Sequence, residues 1–162
     1  MKEYGGYIEF ETFHGKMLHD NAVALNCGRG ALEYICEAKK IRKLYLPHFL
    51  CSSVPNLCNK IGVGYSYYSI NERFEPVFNL TLGEDEWIYI VNFYGQLNND
   101  YLIALKRKYD RIIVDNAQSY FQMPAEGVDT LYTCRKYFGV ADGAFLYLSL
   151  IHISEPTRHA QI

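Results

Sequence analysis

The sequence contains no Cys-x-x-Cys pair, no apolar run near the ~20 residues a membrane-spanning helix needs, and no surplus of either charge. Its five cysteines, Cys27, Cys36, Cys51, Cys58 and Cys134, are an odd set without metal-ligand spacing, so neither a zinc site nor a disulfide framework is indicated. Reduced thiols in a cytoplasm are the simpler reading. Lys and Arg number 16 against 18 Asp and Glu, a net charge of -2, which argues against nucleic acid or an anionic membrane as partner. Residues Met1 to Gly6 lead into no apolar stretch of a secretion signal. What is present is a chain of 162 residues, 49% apolar and 21% charged, the balance of one globular domain able to bury a core. It carries 15 Tyr and 9 Phe, which suit broad packed surfaces whose hydroxyls need partners.

Periodicity predicts alternating strands and helices. Residues 6–13 alternate and end at His14-Gly15, a short strand and turn. Ala31, Leu32, Ile35 and Ala38 fall at helical spacing directly after Asn26-Cys-Gly-Arg-Gly30, and Lys43 to Leu46 follows as a strand stopped at Pro47. Residues 52–61 and 101–109 read as helices; 65–70, 87–91, 111–115, 130–133 and 145–147 read as strands. Continuous apolar runs such as Ile88 to Val91 suit strands buried on both faces, so the fold class expected is α/β with a mainly parallel, helix-covered sheet. Asn71 to Asp85, with Pro76, Gly83 and its acidic residues, reads as an exposed connection within one domain.

The end of the chain differs in kind. Leu148 to Arg158 reads LSLIHISEPTR, the translation of a common transposase-type sequencing adapter, and residues 148–162 are therefore read as adapter-derived and set aside, without specific polar pairing to the fold. The alternative is a natural tail in which His152 and His159 bind a metal.

Three segments carry candidate chemistry. Gly28-Arg-Gly30 at a helix start offers free amides and the helix dipole to a phosphate, which the Arg29 guanidinium can also grip; an ordinary glycine turn capping a helix fits the same residues. Asp115 ends the apolar strand Ile112 to Val114, at the edge where ligands of open α/β sheets collect. There it can hold a metal, accept a phosphoryl group, pair with a heterocyclic nitrogen, or simply cap a turn. Lys136 stands between a strand and the glycine-rich turn Gly139 to Gly143, where burial and Arg135 would favour a nucleophilic amine able to form a Schiff base; most such lysines are only solvated. Cys134 has no nearby histidine to activate it as a nucleophile.

Taken in order, Gly28-Arg-Gly30, Asp115-x-x-Gln118 and Lys136 before its glycine-rich turn resemble the DegT/DnrJ/StrS family of pyridoxal-phosphate-dependent sugar aminotransferases. Gly5-Gly6-Tyr7, Tyr45-Leu-Pro47 and Val91-Asn-Phe-Tyr-Gly-Gln96 extend the resemblance across residues 5–147. The resemblance implies a three-layer α/β/α fold, residues 1–147 being an incomplete large domain of a fold type I transferase. It implies pyridoxal 5'-phosphate as cofactor, with its phosphate on Gly28, Arg29 and Gly30, its ring nitrogen on Asp115, Gln118 along the ring's oxygen side, and Lys136 as the lysine that bonds the aldehyde. Catalysis would rest on Lys136 and Asp115. The substrate implied is a nucleotide-linked keto sugar with an amino donor such as glutamate, and the complete protein would be a homodimer. A fragment without its second domain is expected to be inactive.

Three positions depart from the family pattern: Arg29 replaces a small hydroxyl residue, Cys51 stands where an aromatic ring stacks on the cofactor, and Leu131 replaces a serine five positions before the lysine. A divergent member that binds without transaminating, acting in assembly, is therefore the rival from another class. A Rossmann-like nucleotide-binding domain is the remoter one, since Lys43 to Ser52 offers no acidic ribose contact.

Overall fold

Strands at the sheet's flank alternate buried and open side chains while those at 86–91, 112–115 and 129–133 bury both faces, and segments that bury one stripe in three or four become helices. The computed structural model describes residues 15–149. In chain order these form β1 (Val23–Leu25), α1 (Gly28–Ala38), β2 (Lys43–Pro47), α2 (Ser53–Ile61), β3 (Gly64–Ile70), β4 (Pro76–Val77), β5 (Glu86–Val91), α3 (Asn99–Tyr109), β6 (Ile112–Asp115), β7 (Asp129–Thr133) and β8 (Ala144–Tyr147). A single 3-10 turn, Phe93–Gly95, follows β5.

The strands make one sheet in the order β1-β8-β7-β6-β5-β2-β3-β4. Pairs β3–β2, β2–β5, β5–β6 and β6–β7 are parallel, while β8 runs antiparallel to both β7 and β1, and β4 lies antiparallel on β3. Period-two alternation divides the core between the two faces. Trp87, Tyr89 and Val91 join Ile113, Leu131 and Leu146 beneath α1 and α2, whereas Ile88, Ile90, Ile112 and Val114 pack under α3 with Leu102 and Tyr109. This is a three-layer α/β/α arrangement around a mainly parallel sheet, as the sequence led one to expect.

Each helix has a local reason to stop. Ile41 N–H bonds the Cys36 carbonyl at 2.8 Å as Lys40 turns into the left-handed region at φ 54. Gly62, at φ 72, ends α2 and lets Val63 N–H reach the Cys58 carbonyl at 3.0 Å. At the start of α3 the Asn98 side chain accepts from Tyr101 N–H at 2.9 Å, and Lys106, Arg107 and Lys108 occupy the last turn, where the helix dipole favours cations.

The structure differs from expectation at several places. Gly28 and Gly30 lie inside the first turn of α1 and not in a loop before it, because Cys27, in extended conformation, already accepts the first helical bond from Ala31. β1 and β4 lack a sequence signal: three and two residues are too few for periodicity, and both are edge strands defined by their partners. The connection 71–85 also does more than link, since Phe78, Leu80 and Leu82 pack against the α3-side core.

Residues at the end of β8 correct another expectation. Leu148 packs against the α1-side core, and Ser149 N–H and Oγ both bond Asp129 Oδ1, at 2.6 and 2.9 Å. The physical reason is that Asp129 is fully buried and must find donors, which the next backbone amide supplies whatever side chain it carries. The strand expected at 6–13, Gly5-Gly6-Tyr7, His152 and His159 lie outside the described residues.

Candidate active site

Parallel strands bring their C-terminal ends to one edge, and α1 begins at that same edge. Asp115 is the last residue of β6 and, two positions beyond Ile113, faces the α1 side of the sheet. Tyr89 lies on the same face of β5, where Val91 is in register with Asp115. Its hydroxyl donates to Asp115 Oδ2 at 2.7 Å, and Ala117 N–H donates to Oδ1 at 2.8 Å. Burial pushes the Asp115 carboxyl up from its ordinary value; the Tyr89 and Ala117 hydrogen bonds and the Lys136 charge pull the other way. The Tyr89 hydroxyl is raised well above its ordinary value by burial and then by the Asp115 charge, so it remains a donor.

The remaining candidates lie around this carboxylate. Lys136 is exposed in the turn after β7, with its charge in range of Asp115. Cys51, in the loop after β2, is exposed, sits in charge range of the Tyr89 hydroxyl and shares a 2.8 Å contact between its Sγ and Ser53 Oγ. Gln118 is half-buried three residues past Asp115. The start of α1 rests on the end of β7: a Cβ on Gly28 would lie 3.9 Å from Leu131 Cδ1 and 4.0 Å from Thr133 Cβ. Cys27 makes no side-chain cap, the first turn holds no acidic residue, and the amides of Gly28, Arg29 and Gly30 precede the first intrahelical bond at Ala31. Arg29 itself is exposed. Gly143 ties the ends together, its N–H on the Asn26 carbonyl and its carbonyl accepting from Cys134 N–H.

Several residues of this edge escape sequence reasoning. Tyr89 is hidden within an apolar run, and only its parity with Val91 betrays the face it takes. Asn92 is fully buried and holds the next turn: Nδ2 donates to the Leu97 carbonyl, Asn116 Oδ1 and Gln122 Oε1 at 3.2, 3.1 and 2.9 Å, and Oδ1 accepts from Leu97 N–H at 2.9 Å. Asn116 Nδ2 donates to the Tyr132 hydroxyl at 3.1 Å, which donates in turn to the Gln122 carbonyl at 2.8 Å. Only the topology brings these together.

Cys36 and Cys134 are poorly suited to nucleophilic chemistry. All five are unpaired among the described residues. Burial pushes the Cys36 thiol up to about 12 and raises Cys134 as well, the opposite of what a thiolate nucleophile needs. Among the described residues no group of three His, Cys, Asp or Glu side chains could hold a metal ion, and no helix is long and apolar enough to cross a membrane.

Sheet order and the antiparallel β8 make a three-layer α/β/α fold with a buried carboxylate at the β6 terminus. Comparison with solved structures agrees on the fold. NtdA from Bacillus subtilis, solved with bound cofactor PMP, superposes with a TM-score of 0.65 at 18% identity over 80% of this chain and 33% of its own. The sugar aminotransferase CalS13 from Micromonospora echinospora gives 0.58 at 16% identity over 79% of this chain and 42% of its own. A DegT DnrJ EryC1 StrS aminotransferase from Brucella abortus gives 0.58 at 14%, over 79% and 41%. The chain thus spans well under half the length of these proteins. No protein-family model and no curated protein matches the sequence.

Proposed function

We propose that the chain is part of a pyridoxal-phosphate-dependent aminotransferase that moves an amino group, from a donor such as glutamate, to a nucleotide-linked keto sugar for polysaccharide or cell-surface sugar biosynthesis. The observation that carries the reading is Asp115: a buried carboxylate at the sheet's ligand edge whose protein partners are neutral donors, with a single lysine charge acting from outside. A protonated ring nitrogen supplies the cation that burial withholds, so the residues fit the cofactor. The uncapped start of α1 fits its phosphate equally well.

When bound, the cofactor supplies an electron sink for the carbon that loses its proton. The chain's own residues hold and time that chemistry. In this reading Asp115 keeps the ring nitrogen protonated, and Tyr89 orients Asp115 through the 2.7 Å hydrogen bond. The amides of Gly28, Arg29 and Gly30 take the phosphate, with the Arg29 guanidinium beside them. Thr133, which lies against Gly28, brings to that corner a hydroxyl that Leu131 lacks; Leu131 is 1% exposed and belongs to the core. Gln118 would hold the ring's oxygen side and Cys51 would back its face, more weakly than an aromatic residue would. Lys136 would be the residue that holds the aldehyde group, and its amine would move the proton at the substrate carbon. The working protein is a cytoplasmic homodimer with the remainder of the substrate pocket outside this chain.

The test is chemical. Protein incubated with pyridoxal phosphate and reduced with borohydride is digested and mapped by mass spectrometry, with the pyridoxyl label expected on Lys136 and absent from Lys136→Ala. Label spread evenly over surface lysines removes the assignment. Label at Lys136 without amino transfer by the full-length gene product favours the rival in which the fold binds and no longer transaminates.

A further inference from the structure

Directly behind the Asp115 carboxylate, on the opposite face of the sheet, three strand ends carry a row of buried polar groups that the roles above leave unused. Asn92, Asn116 and Tyr132 each follow one of the register partners Val91, Asp115 and Leu131, and period-two alternation turns them to the face away from α1. All three are no more than 1% exposed. The residues before them on that face of β5 and β6 are Ile88, Ile90, Ile112 and Val114, all apolar. Burying amides costs free energy unless each polar atom is paired, so an apolar row would be the cheaper filling.

Here the polar atoms are paired, and in one connected set. Asn92 Nδ2 donates to Asn116 Oδ1 at 3.1 Å and to Gln122 Oε1 at 2.9 Å, while its Oδ1 accepts from Leu97 N–H at 2.9 Å. Gln122 Nε2 donates to the Leu97 carbonyl at 2.9 Å and to Asn99 Oδ1 at 2.8 Å, and Ser119 Oγ donates to the Asn92 carbonyl at 3.2 Å. Asn116 Nδ2 and the Tyr132 hydroxyl close the set on the Gln122 carbonyl. A satisfied network of this kind rigidifies one geometry, because any other leaves a buried donor or acceptor unpaired. What it fixes is two turns, residues 92–98 leaving β5 and residues 116–122 leaving β6. The second begins beside Asp115 and carries both Gln118 and Ala117, whose N–H donates to Asp115 Oδ1 at 2.8 Å. The aim of the carboxylate therefore depends on a turn that is locked from behind the sheet.

We propose that Asn92 is a positioning residue for the amino-transfer reaction: from the reverse face of the sheet it locks the 116–122 turn, so that Asp115 and Gln118 meet the cofactor ring in one fixed arrangement. The role rests on the amino-transfer reading above. Asn92 touches neither cofactor nor substrate and acts through Asn116, Gln122 and the Ala117 amide. Removing its side chain leaves Asn116 Oδ1, Gln122 Oε1 and Leu97 N–H short of a partner at once and frees the two turns from each other. The start of α1 is held separately, against Leu131 and Thr133, and keeps its phosphate amides.

Two measurements test this, one of them without cofactor. Followed by carbon-13 NMR, the Asp115 carboxyl of Asn92→Ala should titrate at higher pH than in wild type, because a slackened Ala117 N–H holds the ionised form less well. In a binding titration, Asn92→Ala should weaken pyridoxal phosphate by about tenfold or more while leaving inorganic phosphate unchanged. Gln122→Ala, at a half-buried position where folding is less at risk, should move both readouts in the same directions by less. Leu102→Ala opens a cavity in the core under α3 and should lower the melting temperature while moving neither readout, a split that a merely structural asparagine would not give. An Asp115 midpoint that is unchanged or lower in Asn92→Ala overturns the proposal, as does pyridoxal phosphate affinity equal to wild type, or loss of pyridoxal phosphate and inorganic phosphate together. A wild-type chain that neither binds pyridoxal phosphate nor takes the borohydride label at Lys136 overturns the amino-transfer reading and this role with it, so the two failures are distinguishable.

Discussion

Asp115 concentrates the tension between folding and function at one residue. The unfolded chain loses the Asp115 proton near the ordinary value of 3.8, whereas burial makes the folded chain keep it to higher pH. Between those two values the folded state binds more protons, so its stability falls as pH rises. Asp115→Asn removes the titrating group. Its melting temperature relative to wild type should therefore climb as pH rises above the ordinary carboxyl value of 3.8, as followed by circular dichroism. A difference that stays constant with pH would mean burial is not what perturbs the carboxyl. Tyr89→Phe should act in the same window, because losing the 2.7 Å donor leaves the ionised carboxylate still less satisfied. A cost of about 1–3 kcal/mol is expected, growing as the carboxyl ionises with rising pH. Asp115 was legible in the sequence because a carboxylate ending an apolar strand is a local signal. Tyr89 was not, since its role depends on which strand lies beside β6, and that neighbour comes from a crossover.

Among the elements, those whose burial is periodic were legible and those defined by a partner were not. Ala31, Leu32 and Ile35, which with Ala38 made the stripe that predicted α1, are each no more than 1% exposed, whereas Ala38 is exposed and Cys36 is buried instead. Leu32→Ala should accordingly cost about 2–5 kcal/mol, read from urea denaturation. By contrast the start of α1 was placed three residues late, because two glycines look like a loop until the Cys27 carbonyl is seen accepting from Ala31. The turn into β8 is the other locally strained junction. Gly143 sits at φ 127, and a Cβ there would lie 2.9 Å from Cys134 Sγ. Gly143→Ala should destabilise by about 1–3 kcal/mol through the backbone alone. It should also weaken the borohydride label at Lys136, since the same turn follows that lysine. Gly62→Ala, at φ 72 with nothing within 4 Å of the added Cβ, is the matched control: a similar strain far from the site, with the label unchanged.

At the scale of the molecule, the sheet has a ligand edge and an opposite edge, and the end of the described chain closes the second. Asp129 opens β7 and is fully buried, with Lys39 Nζ 3.6 Å from its Oδ2 and Ser149 on its Oδ1. The lysine is held in turn by the Ser149 carbonyl at 3.1 Å. Two charges withdrawn from water in this way are stable only while the surrounding donors remain. A chain ended after Tyr147 loses the Ser149 amide and hydroxyl together and leaves the Asp129 carboxylate with the lysine alone. Its unfolding free energy should fall by about 1–3 kcal/mol relative to a chain ended after Leu150. Ser149→Ala in the full chain keeps the backbone N–H at 2.6 Å and should cost clearly less. If the shorter chain melts with the longer one, the contacts at 148 and 149 add nothing to the fold. If Ser149→Ala costs as much as truncation, the hydroxyl and not the passing backbone holds Asp129, and the residue at 149 is specified by the fold and is not an accident of the adapter-like segment that follows β8.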